Sequence, residues 1–433
     1  MGFIIEPIPE AEDIPALKPL LDHKDDKTFI AQLEESLKKA DKKAKRGEKH
    51  GGLKHDLYKA LPLKGMDGWP TNFDEYVYYL RVYSRWIPHQ SPNPAWADPT
   101  DLAEHQEVYD YLCWFYWLID QPLDSLDGGV LQNIPWFADF LVLWAREWGL
   151  FLNSTQSFND AVLDSFRKFS PKYQVEDSMI PEVLNPDKLR PNDASGRWFS
   201  FNQFFARELN PGLRPITYPY DNAILTAPAD CTYKKAYRIG EKGQIEPPIV
   251  LKGTHTYATV QKLLDKSMYA DAFNGGHFIH LFLGPYSYHR FHTPVAGKVM
   301  ECYPLVGQVY LQVSLEGGQF EAADSADDGY QFTQARGILT IDTTGSPYGD
   351  VGVVAVIPVG MCQVSSVNMT HETGTECLKG DEFGYFTFGG SDIIVLTQKG
   401  TDPQWNPAFV EGTTFYSLYG TLLGQATPLI YSQ

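Results

Sequence analysis

The sequence predicts an α+β protein, with a helical N-terminal domain over residues 1–190 and a mainly β domain over residues 191–433. Three observations carry this. Apolar residues recur at helical spacing through the first part. A connector rich in Pro, Asp and Asn, "IPEVLNPDKLRPNDASG" (Ile180–Gly196), then breaks the pattern. Beyond it, short β-branched and aromatic runs alternate with Gly and Pro. With 433 residues, 43% of them hydrophobic, the chain is long enough for two cores.

Each element has its own signal. "DKTFIAQLEESLKKADKKAKR" places Phe29, Leu33, Leu37, Ala40 and Ala44 on one helical face. "NFDEYVYYLRVYSRWI", "DLAEHQEVYDYLCWFYWLID" and "PWFADFLVLWAREWGLFL" read as further helices, their Trp and Tyr stripes serving as core. In the second part "FSFNQFFAREL" reads as a helix, and "GHFIHLFLG", "GQVYLQVSL", "GILTIDT" and "DVGVVAVIPVGM" as strands. "GDEFGYFTFGGSDIIVL" (Gly380–Leu396) reads as two buried strands or one bent one around Gly389-Gly390-Ser391. Two glycines weaken a strand, so the centre needs a sharp bend or a close backbone approach. A two-glycine hairpin, with Ser391 and Asp392 as turn residues, meets that need structurally.

Charge and composition exclude several classes. A formal net charge of −18 repels nucleic acid and anionic lipid surfaces. No apolar run reaches membrane-spanning length, and the start lacks a signal-peptide pattern, so no membrane anchor and a cytoplasmic location are expected. The lysine cluster from Lys38 to Lys54 is a basic island in an acidic chain, read as a solvated helix end. Five scattered cysteines argue against a disulfide framework and against a zinc site. His277, His280, His289 and His292 lack a recognisable zinc spacing. Asp324, Asp327 and Asp328, in "DSADDG", resemble a calcium loop but miss the late glutamate of an EF-hand.

Three stretches hold polar groups in apolar settings: "LTAPADCTY" with Asp230, "GPYSYHRFHTPVAGKV" with His289 and His292, and the segment ending at Ser391. Carboxylate, imidazole and hydroxyl together form the set that activates a serine. On a regular strand His289 and His292 would face opposite ways, so a shared site requires the chain to bend near Gly284-Pro285 and Pro294.

"FNQFFARELNPGLRPI", "APAD", "YHRFHTPVAGKV" and "KGDEFGYFTFGGS" occur in that order, and together they resemble the phosphatidylserine decarboxylase superfamily of pyruvoyl enzymes. The resemblance covers roughly Phe199 to the C-terminus, and the helical first half with "FGGSD" is similar to soluble fungal-type tryptophan decarboxylases of that superfamily. It implies a pyruvoyl-decarboxylase fold for the second domain and self-cleavage between Gly390 and Ser391. Ser391 would attack the Gly390 carbonyl, and its remnant would become a pyruvoyl cofactor and Schiff-base site, with no pyridoxal phosphate. Asp230 and His292 would complete the self-cleavage triad, and His289 would be the proton donor. Two residues depart from phospholipid-type members: Asp392 where threonine is usual, and Cys231 where glycine is common.

The resemblance also suggests a small-molecule substrate, a free L-aromatic amino acid such as tryptophan, phenylalanine or tyrosine, giving an arylalkylamine and CO2. Phe388, Phe386, Tyr286, Tyr288 and Phe291 are candidate walls for its ring, and simple core packing is their alternative reading. The stretch from Leu305 to Arg336 is a candidate lid. Phosphatidylserine decarboxylation is the alternative activity, and an unprocessed binding protein or a serine hydrolase are alternatives of another class. A monomer or homodimer fits equally.

Overall fold

A computed structural model of the chain describes residues 8–49, 68–98, 101–249, 258–322, 329–363, 366–389, 391–410 and 416–429. The packing of these residues forms two units. The first is Met1–Glu176 with Trp198–Phe204 and Gln308–Asp324; the second is Asp177–Arg197, Phe205–Gly307 and Ser325–Gln433.

The first unit is helical. Helix α1 (Lys27–Lys49) starts where the Asp26 carboxylate accepts hydrogen bonds from the Thr28 and Phe29 amides at 3.0 and 3.1 Å. It buries Phe29, Leu33, Leu37, Ala40 and Ala44, as the 3.6-residue period requires. Helix α2 (Phe73–Tyr83) is capped by Asn72, and α4 (Pro135–Leu152) opens on proline, whose missing N–H costs nothing there. Between them, α3 spans Glu107–Trp117. Tyr79, Tyr83, Trp86, Trp114, Trp144 and Trp148 are buried together, and the Trp148 indole donates to the Trp86 carbonyl at 2.9 Å.

Three sequence expectations need correction here. The segment "DLAEHQEVYDYLCWFYWLID" is not helical throughout: Asp101–His105 is a strand paired with Ala97–Asp98. The Asp101 side chain accepts from the Ala103 amide at 3.2 Å, a local bond that competes with helix initiation. In "GQVYLQVSL" only Val313 onward is extended. Val313–Glu316 pairs with Gln319–Ala322 across Gly317 and Gly318, whose φ values of +54° and +81° suit a two-residue hairpin turn. This hairpin packs within the first unit. "FSFNQFFAREL" supplies only a five-residue helix, Phe201–Phe205.

The second unit is built on strands β1 (Cys231–Ile239), β2 (Ile245–Glu246), β3 (His277–Leu283), β4 (Arg290–His292), β5 (Gly297–Leu305), β6 (Arg336–Asp342), β7 (Val353–Gly360), β8 (Val367–Met369), β9 (Glu376–Cys377), β10 (Glu382–Phe386), β11 (Ser391–Thr397) and β12 (Tyr416–Ser417). A nine-stranded antiparallel sheet runs β9-β5-β6-β7-β11-β3-β1-β12, with β2 on β1. A three-stranded sheet runs β8-β10-β4.

Strand β11 is paired on both edges, Ser391 opposite Leu283 of β3 and Gly360 of β7. Both its faces are covered, which explains the unbroken run Ile393-Ile394-Val395-Leu396 in place of an alternating pattern. Ile393 and Val395 join one apolar cluster with Ile279, Leu281 and Val356; Ile394 and Leu396 join another with Phe278, Ala355 and Ile357.

The two-glycine hairpin does not form. Strand β10 pairs with β8 and β4, whereas β11 pairs with β7 and β3, so the two arms lie in different sheets. Ser391 and Asp392 are the first two residues of a buried strand, not turn residues. Leu37 in α1 is fully buried. Leu37→Ala is expected to destabilise the first unit by about 2–5 kcal/mol, measured as a lowered denaturation midpoint.

Candidate functional site

Alternation along β11 fixes what its first residues face. Ser391 shares a face with Ile393 and Val395, and Asp392 shares the opposite face with Ile394 and Leu396. Ser391 is fully buried and its hydroxyl has no hydrogen-bond partner. Gly389, two residues earlier, has φ +147°, a region that disfavours residues with a side chain. The expected cleavage position Gly390 lies outside the described residues, as do Asp324, Asp327 and Asp328 of the acidic loop. Among the described residues no group of three His, Cys, Asp or Glu side chains could hold a metal.

The two histidines come from a bend of the expected kind. After β3 the chain turns, the Ser287 amide donating to the Gly284 carbonyl at 2.9 Å, and His289 precedes the short strand β4. The His289 carbonyl accepts from the Phe386 amide at 2.9 Å, tying this loop to the segment that leads to Ser391. The His289 ring is fully buried and stacks on Phe205, centroids 3.9 Å apart. Burial, helped by the Arg207 charge, pushes its pKa down to about 3, with the Ser287 backbone opposing.

His292 is held at both nitrogens. Its Nδ1 lies 2.9 Å from the Gly380 carbonyl oxygen, which can only accept, so Nδ1 carries the proton. Its Nε2 is then the acceptor, 3.3 Å from the Tyr288 hydroxyl. Tyr419 stacks on the ring at 3.8 Å and 3°. Burial pushes the His292 pKa down to about 4; the Gly380 contact opposes this and the Arg290 charge adds to it.

Asp230 is not hydrogen-bonded to His292. Its carboxylate accepts from Arg214 Nε, 3.2 Å to each oxygen, and from Arg214 Nη2 at 2.7 Å. It also accepts from the Tyr419 amide at 2.8 Å. Tyr419 therefore connects Asp230, through its backbone, to His292, through its ring. Sequence reasoning missed both Arg214 and Tyr419. Arg214 sits inside the quoted stretch "FNQFFARELNPGLRPI", between Leu213 and Pro215, and an arginine in that apolar setting is the available signal. Nothing near Tyr419 in sequence marks it.

The candidate ring walls divide. Phe291 and Phe386 are fully buried and pack against each other at 4.9 Å within a core cluster. Phe388 lies 5.0 Å from Phe205, the ring that covers His289. Tyr288 stacks on His292, and Tyr286 faces Tyr416 at 6.1 Å.

Asp392 does not crowd Ser391. On the other face of β11 its carboxylate accepts a short hydrogen bond from the Tyr330 hydroxyl and lies 3.0 Å from His280 Nε2. Both Asp392 and His280 are fully buried.

Similarity to known proteins can now be set beside this geometry. The family described as Phosphatidylserine decarboxylase matches residues 201–413. A phosphatidylserine decarboxylase proenzyme 2 of Oryza sativa subsp. japonica is 30% identical over 51% of this chain and 32% of its own length. The phosphatidylserine decarboxylase proenzyme of Anoxybacillus flavithermus is 31% identical over 48% of this chain and 72% of its own. The decarboxylase iboD of Amanita muscaria is 28% identical over 67% of this chain and 82% of its own. This chain thus spans only about a third of the rice protein.

Two outcomes follow from the burial. His289 and His292 are neutral in the folded chain, while in the unfolded chain they take up protons near the ordinary value of 6.5. Stability is therefore present above that pH and falls on acidification below it, by about 1.4 kcal/mol per histidine per pH unit. Replacing both with glutamine should make urea stability fall less steeply between pH 6.5 and pH 5, part of the fall remaining because burial also holds His89 down to about 4. Separately, Asp392→Ala removes the carboxylate that accepts from the buried Tyr330 hydroxyl, and should cost about 1–3 kcal/mol in urea unfolding. A loss below about 1 kcal/mol would show the pair to be energetically idle.

Proposed function

The chain belongs to the phosphatidylserine decarboxylase family, and on that premise we propose that it cuts itself between Gly390 and Ser391 and then decarboxylates a free aromatic L-amino acid, with tryptophan first among them. The observation that carries this reading is the Ser391 hydroxyl, fully buried and without a partner, immediately after the glycine pair. A serine kept in that state is costly unless its oxygen reacts.

In self-cleavage the Ser391 oxygen adds to the Gly390 carbonyl, and the peptide bond becomes an ester. His292 suits the base: it is neutral, and its Nδ1–H is committed to Gly380, so the lone pair is on Nε2. In this reading Gly380 takes the orienting part usually given to a carboxylate, and Asp230 acts at one remove, through Arg214 and Tyr419. Elimination then breaks the Ser391 Cβ–O bond, and water replaces the nitrogen as ammonia. What supports the fit of the group that results is that Ser391 is fully buried, that Phe388 lies three residues before it against Phe205, and that the loop carrying the neutral His289 is tied to Phe386. Once formed, a pyruvoyl group supplies an electrophilic ketone for the substrate amine and an adjacent carbonyl that accepts electrons.

His289 suits the proton donor for a specific reason. Neutral in the empty site, it gains a proton when a substrate carboxylate enters and offsets its burial. Loss of that carboxylate as CO2 removes the counter-charge, its pKa falls again, and the proton passes to the α-carbon. The ring that packs on it, Phe205, and the neighbouring Phe388 offer flat apolar surfaces suited to an aromatic side chain. A net charge of −18 favours a free amino acid over an anionic bilayer. Phosphatidylserine remains the second reading, because the matched relatives carry that name.

The test is intact mass of the denatured protein, followed by CO2 release from L-tryptophan, L-phenylalanine, L-tyrosine and phosphatidylserine vesicles. Two chains are expected, the shorter starting at position 391 and lacking its amino nitrogen. Ser391→Ala should remain a single chain and lose CO2 release by about 10⁴-fold or more. A wild-type chain that stays whole on long incubation overturns the mechanism; turnover of vesicles alone moves the substrate to the phospholipid.

A further inference from the structure

Asp392 and its neighbours take no part in the chemistry proposed for Ser391, yet they surround the residue next to it. Asp392 is the second residue of β11, opposite Val359 of β7 and Phe282 of β3. Asp392 and His280 are both fully buried. The Asp392 carboxylate accepts from the Tyr330 hydroxyl, and the same oxygen lies 3.0 Å from His280 Nε2. Burying a carboxylate is costly, so an aspartate in a strand that continues Ile393-Ile394-Val395-Leu396 calls for a reason.

Tyr330 stands on a firm support. It follows Gly329, whose φ of +73° leads the chain into a single 3-10 turn, Tyr330–Phe332. The Tyr330 carbonyl accepts from the Thr333 and Gln334 amides, at 2.9 and 3.1 Å, which closes that turn. At the next residue the Ala335 carbonyl accepts from the Gly360 amide at 2.8 Å, and β6 begins at Arg336. Gly360 is the residue of β7 opposite Ser391. One short segment, 330–335, is therefore bonded both to the chain neighbour of Ser391 and to its neighbour across the sheet.

Self-cleavage changes what a strand in this position needs. Before the cut, the chain holds Ser391 from both sides. Afterwards position 391 is a chain end: its nitrogen has left as ammonia, a ketone oxygen stands in its place, and no N–H remains there to donate to the sheet. Strand ends open locally at far lower free energy than core strands do. An open end would carry the ketone away from its proton donor, and small displacements of a reacting group are costly in rate. The first intact residue after the cut is Asp392, and its side chain is a buried carboxylate with a fixed donor.

We propose that Asp392 and Tyr330 are positioning residues: the bond between them pins the new end of β11, so that the ketone stays seated once the chain is cut. The proposal rests on the self-cleavage reading and deepens it. It makes the bond matter more after the cut than before, which a merely structural bond would not do.

The experiment is amide hydrogen exchange over residues 393–397, read by mass spectrometry on the full protein. Four samples are compared: the cut wild type, the uncut Ser391→Ala chain, and Tyr330→Phe in each background. The cut wild type and the uncut chain are expected to be protected alike. Tyr330→Phe should raise exchange about tenfold in the cut protein and leave it unchanged in the uncut chain. Asp392→Asn, whose side-chain oxygen still accepts from Tyr330, should keep the wild-type protection. Protection lost on cutting in the wild type overturns the proposal, and that comparison needs no variant of Tyr330 to fold. So does a Tyr330→Phe effect equal in both backgrounds, or absent from both. Intact mass keeps the two readings apart: a wild-type chain that is never cut overturns self-cleavage and this proposal with it, whereas a cut chain with the wrong exchange pattern overturns this proposal alone.

Discussion

Burial of Ser391–Thr397 on both faces and both edges is the constraint from which the site follows. A strand in that position has no freedom of register, because a shift of one residue would exchange the contents of two cores. The same alternation separates Ser391 from Asp392. One side chain looks toward the cluster around Ile279 and Leu281, the other toward Tyr330 and His280. The Asp392 carboxylate, adjacent in sequence to Ser391, is thereby kept off its face. Its carboxylate accepts from the Tyr330 hydroxyl behind the sheet.

Desolvation does the second part of the work. Water is excluded from His289 and His292, and the cost of charging an imidazole there keeps both neutral. For a base this is the useful state, and the Gly380 carbonyl selects which nitrogen keeps the lone pair. Asp230 is committed to Arg214, and what reaches His292 from that side is the Tyr419 ring. Arg214 and Asp230 are both nearly inaccessible, so their pairing avoids an uncompensated charge beside the site.

The first unit is stabilised differently, by packed indole and phenol rings rather than by a sheet. Large rigid rings fill a core at low entropic cost but carry N–H and O–H groups that need partners. Trp148 finds one in the Trp86 carbonyl. The Trp117 indole N–H and the Gln121 side-chain oxygen are left without partners. The stretch read as a candidate lid contributes the Val313–Ala322 hairpin, packed within the first unit.

Local pattern was enough for the elements whose signal is periodic. Pro135–Leu152 follows the quoted helical stretch from end to end, the α1 stripe of five apolar residues is buried as spaced, β3 and β7 lie within their apolar runs, and β6 is offset from its run by one residue. The ordered motifs, read together, identified the family and the residues to inspect. Sequence could not say where the two arms around Gly389 go, since a hairpin and a crossing between sheets share the same glycines and β-formers. That choice belongs to the partners: β7 and β3 claim one arm, β8 and β4 the other. It could not pair Asp230 with Arg214 or bring Tyr419 onto His292, because those contacts join positions 16 and 127 residues apart through the sheet. Spacing within a chain encodes local geometry; which polar groups find each other in a dry interior is decided only when distant strands close around them.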